Sequence, residues 1–504
     1  MLETLSSLRL PAIRTVVLVL SLVVIPVTAL GLGNFAFQRP AIAIALIVGS
    51  IIAFAILNRP DAATLVVIFI LYTNIAVVAV QFHHVPFIIG AAVPGLLLIP
   101  LAYHIIWRRQ EVIVNTVMPW IMLFMTIQLV GAVFAVKPDA AMAEVLSSLI
   151  EGFGLYVLIL NVVRTPPILR RVIWVLLLSG LIMAGLTVFQ QVTGTFDTNY
   201  GGLAQMSNSA FHTGEETAEG EVDQRRLSGP IGHQNRYAQI LLMLVPLGLF
   251  RFWGEKTYAL RALAVLSTVV ILAGAALTFS RGGAVGLVFA LILMGFMRYI
   301  KFRQLAGIFL VLSLIAITIP AFGTRFTSLK GLTDLLDADL ESDMSGTDTS
   351  VRSRLTEMLA AVLVFADHPI FGVGPDMYRE HYRDYSEMVG IRLKPTNRQA
   401  HSLYLGLASE NGLLGLTAFC AVVFVTLRNL ASARRRYMDA EPELANMATA
   451  FLLALVVYLA TAFFLHLAFI RYFWLMMALA GAASYIAHTR PIPTLAQLKP
   501  ASVY

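Results

Sequence analysis

Residues 172–193 have the sequence VIWVLLLSGLIMAGLTVFQQVT and contain no charged side chain. About 20 such residues in a helix cross the roughly 30 Å hydrocarbon core of a bilayer, so this stretch predicts a transmembrane helix. The same pattern recurs on both sides of it. By this criterion the chain has about 12 to 14 predicted spans, at residues 15–32, 41–57, 62–80, 86–106, 114–136, 143–163, 172–193, 235–253, 259–279, 284–299, 304–322, 401–427, 444–466 and 470–488.

The composition also indicates a membrane protein. Of the 504 residues, 58% are hydrophobic and 13% are charged, whereas a soluble domain has roughly 45–50% apolar and about 25% charged residues. This composition excludes a water-soluble globular protein. The single cysteine, Cys420, excludes an intramolecular disulfide and a zinc site built from several cysteines. We expect an all-α polytopic membrane protein with a large extracytoplasmic loop that contains amphipathic helices.

Lysine and arginine residues predict the orientation in the membrane. If the N-terminus is cytoplasmic, more than half of the 36 Lys and Arg residues fall in cytoplasmic segments, as the positive-inside rule favours. Both termini are then cytoplasmic, and both long loops are extracytoplasmic. The predicted organisation is an N-terminal bundle at 1–193, a loop at 194–234, core spans at 235–322, a large loop at 323–400, C-terminal spans at 401–488 and a tail at 489–504.

The large loop carries two predicted helices. Apolar residues repeat at helical spacing over 351–366, which is typical of an amphipathic helix at a membrane interface. A second helix is predicted over 376–389, with Asp376 as its N-cap and with Tyr378 and Tyr382 on one stripe. These rings either stack on sugars or pack inside the protein, and packing is the commoner role of tyrosines near a membrane surface.

The segment 401–427 contains Asn411 and Gly412 and is either a continuous span or a broken or re-entrant helix. Glu410 is an ionisable residue inside this apolar segment, where such groups are usually paired or functional. On a straight helix Glu410 and His401 lie on opposite faces. We therefore do not expect Glu410 to orient His401 unless the helix breaks.

Two arginines lie beside predicted helix N-termini. Arg281 is followed by Gly282 and Gly283 in a very short turn between spans, so backbone amides and the positive end of a helix lie beside its charge. Arg226 precedes the stretch GPIGHQN at 229–235, which leads into another span. Arginine binds diphosphates in a bidentate manner, which suits such a site. Alternatively, Arg281 is an interfacial residue whose charged end reaches towards water.

Histidines occupy comparable positions. His401 begins a predicted span, and His233 lies just before another. The positive end of a helix disfavours the imidazolium form, and a neutral imidazole is what a general base requires. Each histidine is alternatively an ordinary polar loop residue.

The acidic stretch 337–343 has Ser342 where a calcium-binding loop needs glycine, so we expect no metal site there.

Three strings, taken together and in this order, resemble the O-antigen ligase and polymerase family of bacterial envelope glycan enzymes. They are TFSRGG at 278–283, HPIFGVGP at 368–375 and HSLYLGLASENGLLGL at 401–416. The resemblance covers 225–427. Ser402 stands where asparagine often follows the histidine, and Asp376 stands where a small residue is common. These departures concern the substrate preference more than the class of reaction.

The resemblance implies a GT-C-like enzyme of the bacterial inner membrane. Such an enzyme transfers a glycan from an undecaprenyl diphosphate carrier to an acceptor hydroxyl on the extracytoplasmic side, without metal, nucleotide or other cofactor. By position, Arg226 and Arg281 would bind the diphosphate, His401 would be the catalytic base, and the 323–400 loop would cover donor and acceptor. We expect a single inverting displacement. The other candidate substrate contacts are Gly282, Gly283, His233, Asn235, Arg354, Tyr378 and Tyr382.

Two alternatives remain at this stage. A ligase and a polymerase share this chemistry and differ in the acceptor, which is a lipid A core sugar or the end of another carrier-linked glycan. A transporter or lipid flippase belongs to a different class, and it predicts repeated halves and charged groups near the membrane midplane. The predicted basic groups collect instead at the outer ends of the spans, which favours the enzyme. Nucleic acid is not an expected partner.

Overall fold

The computed structural model describes residues 59–206, 211–217, 220–318, 349–389, 398–466 and 470–490. The predicted spans 15–32 and 41–57 and the acidic stretch 337–343 lie outside these described residues. The chain divides into two compact units, Met1–Val66 and Val67–Tyr504. Apart from the start of the first described helix, all elements below belong to the second unit.

The described residues are mainly helical. Before the large loop the helices are α1 (Pro60–Thr73), α2 (Ile75–His83), α3 (Phe87–Trp107), α4 (Met118–Val133), α5 (Pro138–Val162), α6 (Pro166–Thr193), α7 (Gln234–Gly254), α8 (Tyr258–Ala276), α9 (Arg281–Phe296) and α10 (Phe302–Thr318). The large loop contributes α11 (Thr349–Asp367) and α12 (Tyr378–Val389). The last three helices are α13 (Leu403–Tyr437), α14 (Pro442–Phe464) and α15 (Ile470–Thr489).

Short strands occur between α6 and α7. Strand β1 (Gln205–Met206) pairs antiparallel with β4 (Leu227–Gly229), and β2 (Phe211–Thr217) pairs antiparallel with β3 (Gly220–Gln224). The backbone amide of Leu227 donates to the carbonyl of Leu277 at the end of α8, 3.3 Å away. This bond fastens β4 to the turn between α8 and α9.

Eight helices among the described residues are long and apolar enough to cross a membrane, or nine if the bent pair α1–α2 is one span. The eight are α3, α5, α6, α7, α8, α13, α14 and α15. Helices α4 and α9 are apolar but shorter. Every predicted span from 62–80 onward coincides with a helix or, for 62–80 itself, with the bent pair. The all-α polytopic membrane fold is therefore confirmed.

Helices α7, α14 and α15 are the most buried of these spans and form the centre of the bundle. In α15 83% of the apolar window is buried, against 11% in the peripheral α3. Small residues allow close helix packing, as at Gly274 of α8, where an added Cβ would lie 2.7 Å from the Cβ of Ala184 in α6. Without a hydrophobic force between helices in lipid, such close van der Waals packing holds neighbouring spans together.

Both predicted helices of the large loop are present. Helix α11 covers the predicted 351–366, and its buried face packs with α12 around Ala360, Val364 and Tyr382. Asp376 as the N-cap of the second helix is wrong, because α12 begins at Tyr378. The backbone φ of Asp376 is 58°, a left-handed conformation outside the helix, and its carboxylate pairs with Arg379 at 2.5 Å.

Helix α13 is broken at Gly412, which confirms the interrupted alternative for 401–427. Gly412 has φ 62° and ψ −167° inside the helix. A Cβ there would lie 2.2 Å from the carbonyl oxygen of Ile370, and one on Gly372 would lie 2.4 Å from the backbone of Glu410. Both glycines are therefore required, because the two backbones touch where side chains would stand.

The segment 369–374 fills this break with backbone hydrogen bonds. The amides of Val373 and Gly374 donate to the carbonyls of Ser409 and Glu410, at 3.0 and 2.9 Å. In the other direction, the amide of Leu413 donates to the carbonyl of Pro369 at 2.7 Å. A helix break leaves backbone groups without helical partners, and these bonds satisfy them. The string HPIFGVGP thus anchors the large loop to α13.

Candidate functional site

His401 lies just before α13, in a left-handed backbone conformation with φ 47°. Its Nδ1 donates to the carbonyl oxygen of Gln399, 3.1 Å away, and lies 2.7 Å from Oε2 of Glu357 in α11. Oε2 of Glu357 has no hydrogen-bond partner among the described residues, so its contact with Nδ1 becomes an ion pair when the ring is protonated. Both neighbours are acceptors, so Nδ1 carries a proton, and in the neutral form of the ring Nε2 is the nitrogen with the lone pair. The side chain of His401 is 23% exposed, so it is not sealed inside the protein.

A second histidine stands beside His401. The rings of His401 and His466 meet edge to face, with centroids 5.8 Å apart. His466 follows the end of α14, and its Nε2 accepts a hydrogen bond from Nη2 of Arg236 at 2.6 Å. Arg236 lies in the first turn of α7 and is 6% exposed. An Nε2 that accepts this bond has no proton, which is the neutral state of the ring.

His233 lies where several charged groups meet. Burial, which is the largest cause, and the neighbouring Arg236, His401, Arg226 and Arg354 together lower the pKa of His233 from 6.5 to about 4. Burial likewise lowers the pKa of His466, with Arg236, His401 and His233 acting in the same sense. Both imidazoles are therefore neutral near pH 7. We call these six residues the site cluster: Arg226, His233, Arg236, Arg354, His401 and His466.

Arg226 is fixed by hydrogen bonds from three directions. Its Nε donates to the carbonyl of Thr278 at 2.9 Å, and its Nη2 donates to Oδ1 of Asn235 at 2.9 Å and to the carbonyl of Phe279 at 3.3 Å. The side chain is 7% exposed. These bonds join the loop before β4, the start of α7 and the turn between α8 and α9. The predicted contact residue Asn235 therefore holds Arg226 in position.

Arg281 is the first residue of α9, at the same turn that binds Arg226. Ser280 caps this helix by accepting the amide of Gly283 at 3.2 Å. A Cβ on Gly283 would lie 3.2 Å from Ala238 of α7, and one on Gly282 would lie 3.4 Å from Phe464. These contacts place the N-terminus of α9 beside α7 and beside the end of α14, close to His466 in sequence.

Tyr378 and Tyr382 lie in the interior of the large loop. Their exposed fractions are 0% and 1%, within the core formed by α4, α11 and α12. The hydroxyl of Tyr378 donates to the backbone carbonyl of Glu357 at 2.5 Å. Burial is the main cause that raises the pKa of Tyr382. This placement agrees with the packing alternative, and it makes Tyr378 a support for the segment that carries Glu357.

Glu410 does not contact His401, although α13 is broken. Its carboxylate accepts the backbone amides of Asp376 and Tyr378 and so caps α12. The carboxylate beside His401 is Glu357, which sequence reasoning missed together with Arg236 and His466. The amphipathic pattern around Glu357 was only a weak indication of a functional role, because a glutamate in an amphipathic helix is usually solvated.

Among the described residues, no group of three or more His, Cys, Asp or Glu side chains is arranged to hold a metal ion.

The comparisons with known proteins bear on this same part of the chain. Residues 236–420 match the family model described as O-Antigen ligase. No curated protein matches the chain. The matched segment contains Arg236, Arg281, Glu357 and His401, and it begins ten residues after Arg226. Residues 236–420 of this multi-pass membrane protein are therefore similar to the O-antigen ligase family, and the match supports that family for the segment that contains most of the site.

Proposed function

We propose that this protein transfers a glycan from an undecaprenyl diphosphate carrier to an acceptor hydroxyl at the extracytoplasmic face of the bacterial inner membrane, with both termini in the cytoplasm. The observation that carries the proposal is the site cluster, in which a partly exposed His401 lies among arginines at one end of the bundle. Arginines suit a diphosphate, and a neutral imidazole suits the activation of a hydroxyl.

The reaction in this proposal is a single inverting displacement. The acceptor oxygen forms a bond to the anomeric carbon while the bond from that carbon to the carrier diphosphate breaks. The electron pair leaves on the diphosphate, and the proton of the acceptor hydroxyl moves to Nε2 of His401. Arg226 and Arg281 stabilise the charge that develops on the leaving group, as fixed donors do in other sites.

Three features beyond the arginines favour an anionic leaving group at this position. Helices α7, α9 and α13 all begin beside members of the site cluster, and helix N-termini attract negative charge. Arg354 belongs to α11 of the large loop, so the loop adds a cation when it covers the site. Arg236 contributes a further buried guanidinium, held by His466.

Transfer by purified protein tests this proposal. The donor is an undecaprenyl diphosphate-linked oligosaccharide, and the acceptors, tried separately, are a lipid A core oligosaccharide and a second carrier-linked glycan. We expect new glycosidic bonds without any ion gradient, and His401→Ala should slow the transfer by about 10²–10⁴-fold, the usual contribution of a general base. Asn429→Ala, which removes an exposed hydrogen bond to Thr116, is the control and should keep the wild-type rate.

The acceptor that supports turnover separates a ligase from a polymerase. The matched family is described by its ligase activity, so we expect the lipid A core oligosaccharide to be used. Translocation of the donor without new glycosidic bonds would identify a transporter and end the proposal. Wild-type turnover by a folded His401→Ala variant would show that another group or water accepts the proton.

A further inference from the structure

We infer that Glu357 is the positioning residue of His401, and that helix α11 of the large loop carries it into place. The inference rests on the proposed function, because it concerns the base of that reaction. Oε2 of Glu357 lies 2.7 Å from Nδ1 of His401, and Glu357 is 1% exposed. A carboxylate is expensive to bury unless charged or polar groups surround it, so this burial requires the contacts that Glu357 makes.

Those contacts hold the Glu357 side chain from several sides. Oε1 accepts a hydrogen bond from the hydroxyl of Ser353 at 3.2 Å, and it lies 4.0 Å from Nε of Arg398. The backbone carbonyl of Glu357 accepts the hydroxyl of Tyr378 at 2.5 Å. The carboxylate is therefore held by Ser353 of its own helix and faces Arg398 in the segment just before His401, while α12 holds the backbone of Glu357. A group held in this way can fix the ring it touches.

Helix α11 reaches His401 because both are attached to α13. The helix ends at Asp367, and the segment 369–374 then pairs with the break around Gly412. His401 precedes the same helix, which starts at Leu403. The glycine-dependent pairing thus sets where α11 lies relative to the base. The segment HPIFGVGP and the break in α13 therefore both contribute to the assembly of the site.

The expected effect of Glu357 on the reaction follows from the tautomer. With acceptors at Nδ1, the Nδ1–H form is favoured and Nε2 is left to take the acceptor proton. When Nε2 takes that proton, the ring becomes an imidazolium next to a buried carboxylate, which stabilises it. Glu357 does not meet the sugar or the diphosphate in this scheme. It should therefore affect the chemical step and leave donor binding unchanged.

The test compares kcat and KM for Glu357→Gln, Glu357→Asp and Glu387→Gln in the full-length protein. Glu387 lies on α12, is exposed and faces Arg383, so its variant is a control for the same loss of charge in the same loop. We expect Glu357→Gln to lower kcat by about 10–100-fold, part of the general-base contribution, with a donor KM within about twofold of wild type. Glu357→Asp should recover part of the loss, and Glu387→Gln should behave as wild type.

A double variant distinguishes positioning from a purely structural role. If Glu357 acts through His401, adding Glu357→Gln to His401→Ala leaves the residual rate unchanged, since the partner is already gone. Additive losses, a raised KM together with a lowered Tm, or an unchanged kcat in Glu357→Gln would each overturn the inference. In all of these cases a slow His401→Ala variant still supports the proposed function. A fast His401→Ala variant counts against the proposed base itself.

Discussion

The two ends of helix α7 hold buried arginines in different ways. At its start, Arg236 donates to the neutral ring of His466, and the neighbouring Arg226 donates to two carbonyls and an amide oxygen. Near its end, Arg251 is 1% exposed and pairs with Glu255 at 3.0 Å and with Glu443 at 3.3 Å. Glu443 also binds Arg170 at 2.5 Å, which joins α6, α7 and α14.

The difference indicates what each end does. Carboxylates around Arg251 neutralise its charge and connect three helices, so that cluster is structural. Carbonyl, amide and imidazole acceptors fix the orientation of the Arg226 and Arg236 guanidinium groups, and oriented guanidinium groups suit the binding of an anion. Arg236 and Arg251 are 15 residues apart in the sequence, which is roughly 22 Å along α7 at about 1.5 Å per residue. Variants at the two ends should therefore change different properties.

The largest effect on the transfer rate is expected from variants at the start of α7. Arg226→Ala should lower kcat by about 10²–10³-fold, since a fixed donor to the leaving group is lost. Its hydrogen bonds to the α8–α9 turn are lost as well, so Arg226→Lys, which keeps the charge and loses the fork, is the companion variant. Rates with the undecaprenyl diphosphate-linked donor, corrected for the folded fraction, measure the loss. A near-wild-type rate for Arg226→Ala would place the leaving group elsewhere.

Near the end of α7, variants should change the stability of the protein more than its activity. Arg251→Ala leaves Glu255 and Glu443 without their buried cation. We expect a loss of about 2–4 kcal/mol in the free energy of unfolding, somewhat below the roughly 3–5 kcal/mol for a fully buried pair, because Glu443 is 34% exposed. Unfolding in detergent, followed by tryptophan fluorescence, measures this. The folded fraction should transfer glycan at the wild-type rate, and a specific loss of kcat would contradict the contrast between the two ends.

The same two ends show what sequence can predict. Span positions follow from local hydropathy, and the arginines and histidines of the motifs lie at span ends, so much of the site was visible as a pattern. Glu357, Arg236 and His466 belong to α11, α7 and the segment after α14, and they meet only through tertiary packing. The N-cap at Asp376 was wrong because the turn before α12 takes a left-handed conformation there. A capping preference alone does not report such a turn.

The smallest expected effect is a dependence of stability on pH that arises from His233, just before the start of α7. The pKa of His233 is lowered from 6.5 to about 4 by burial and by the neighbouring Arg236, His401, Arg226 and Arg354. Above pH 6.5 the ring is neutral in both folded and unfolded chains, and its contribution to stability is fully present. As the pH falls from 6.5 towards 4, His233 binds a proton in the unfolded chain but not in the folded chain. Stability should therefore decrease in this window.

His233→Asn removes this titration while keeping a polar side chain. The drop in Tm between pH 7 and pH 4.5 should then be smaller than in the wild type, and the remaining drop includes the contribution of His466, whose pKa is lowered as well. His488→Asn, at the far end of α15, is the control and should keep the wild-type pH dependence. Equal slopes for the wild type and His233→Asn would mean that His233 is not held neutral by the site cluster. The proposed gathering of positive charge around it would then lose its main support.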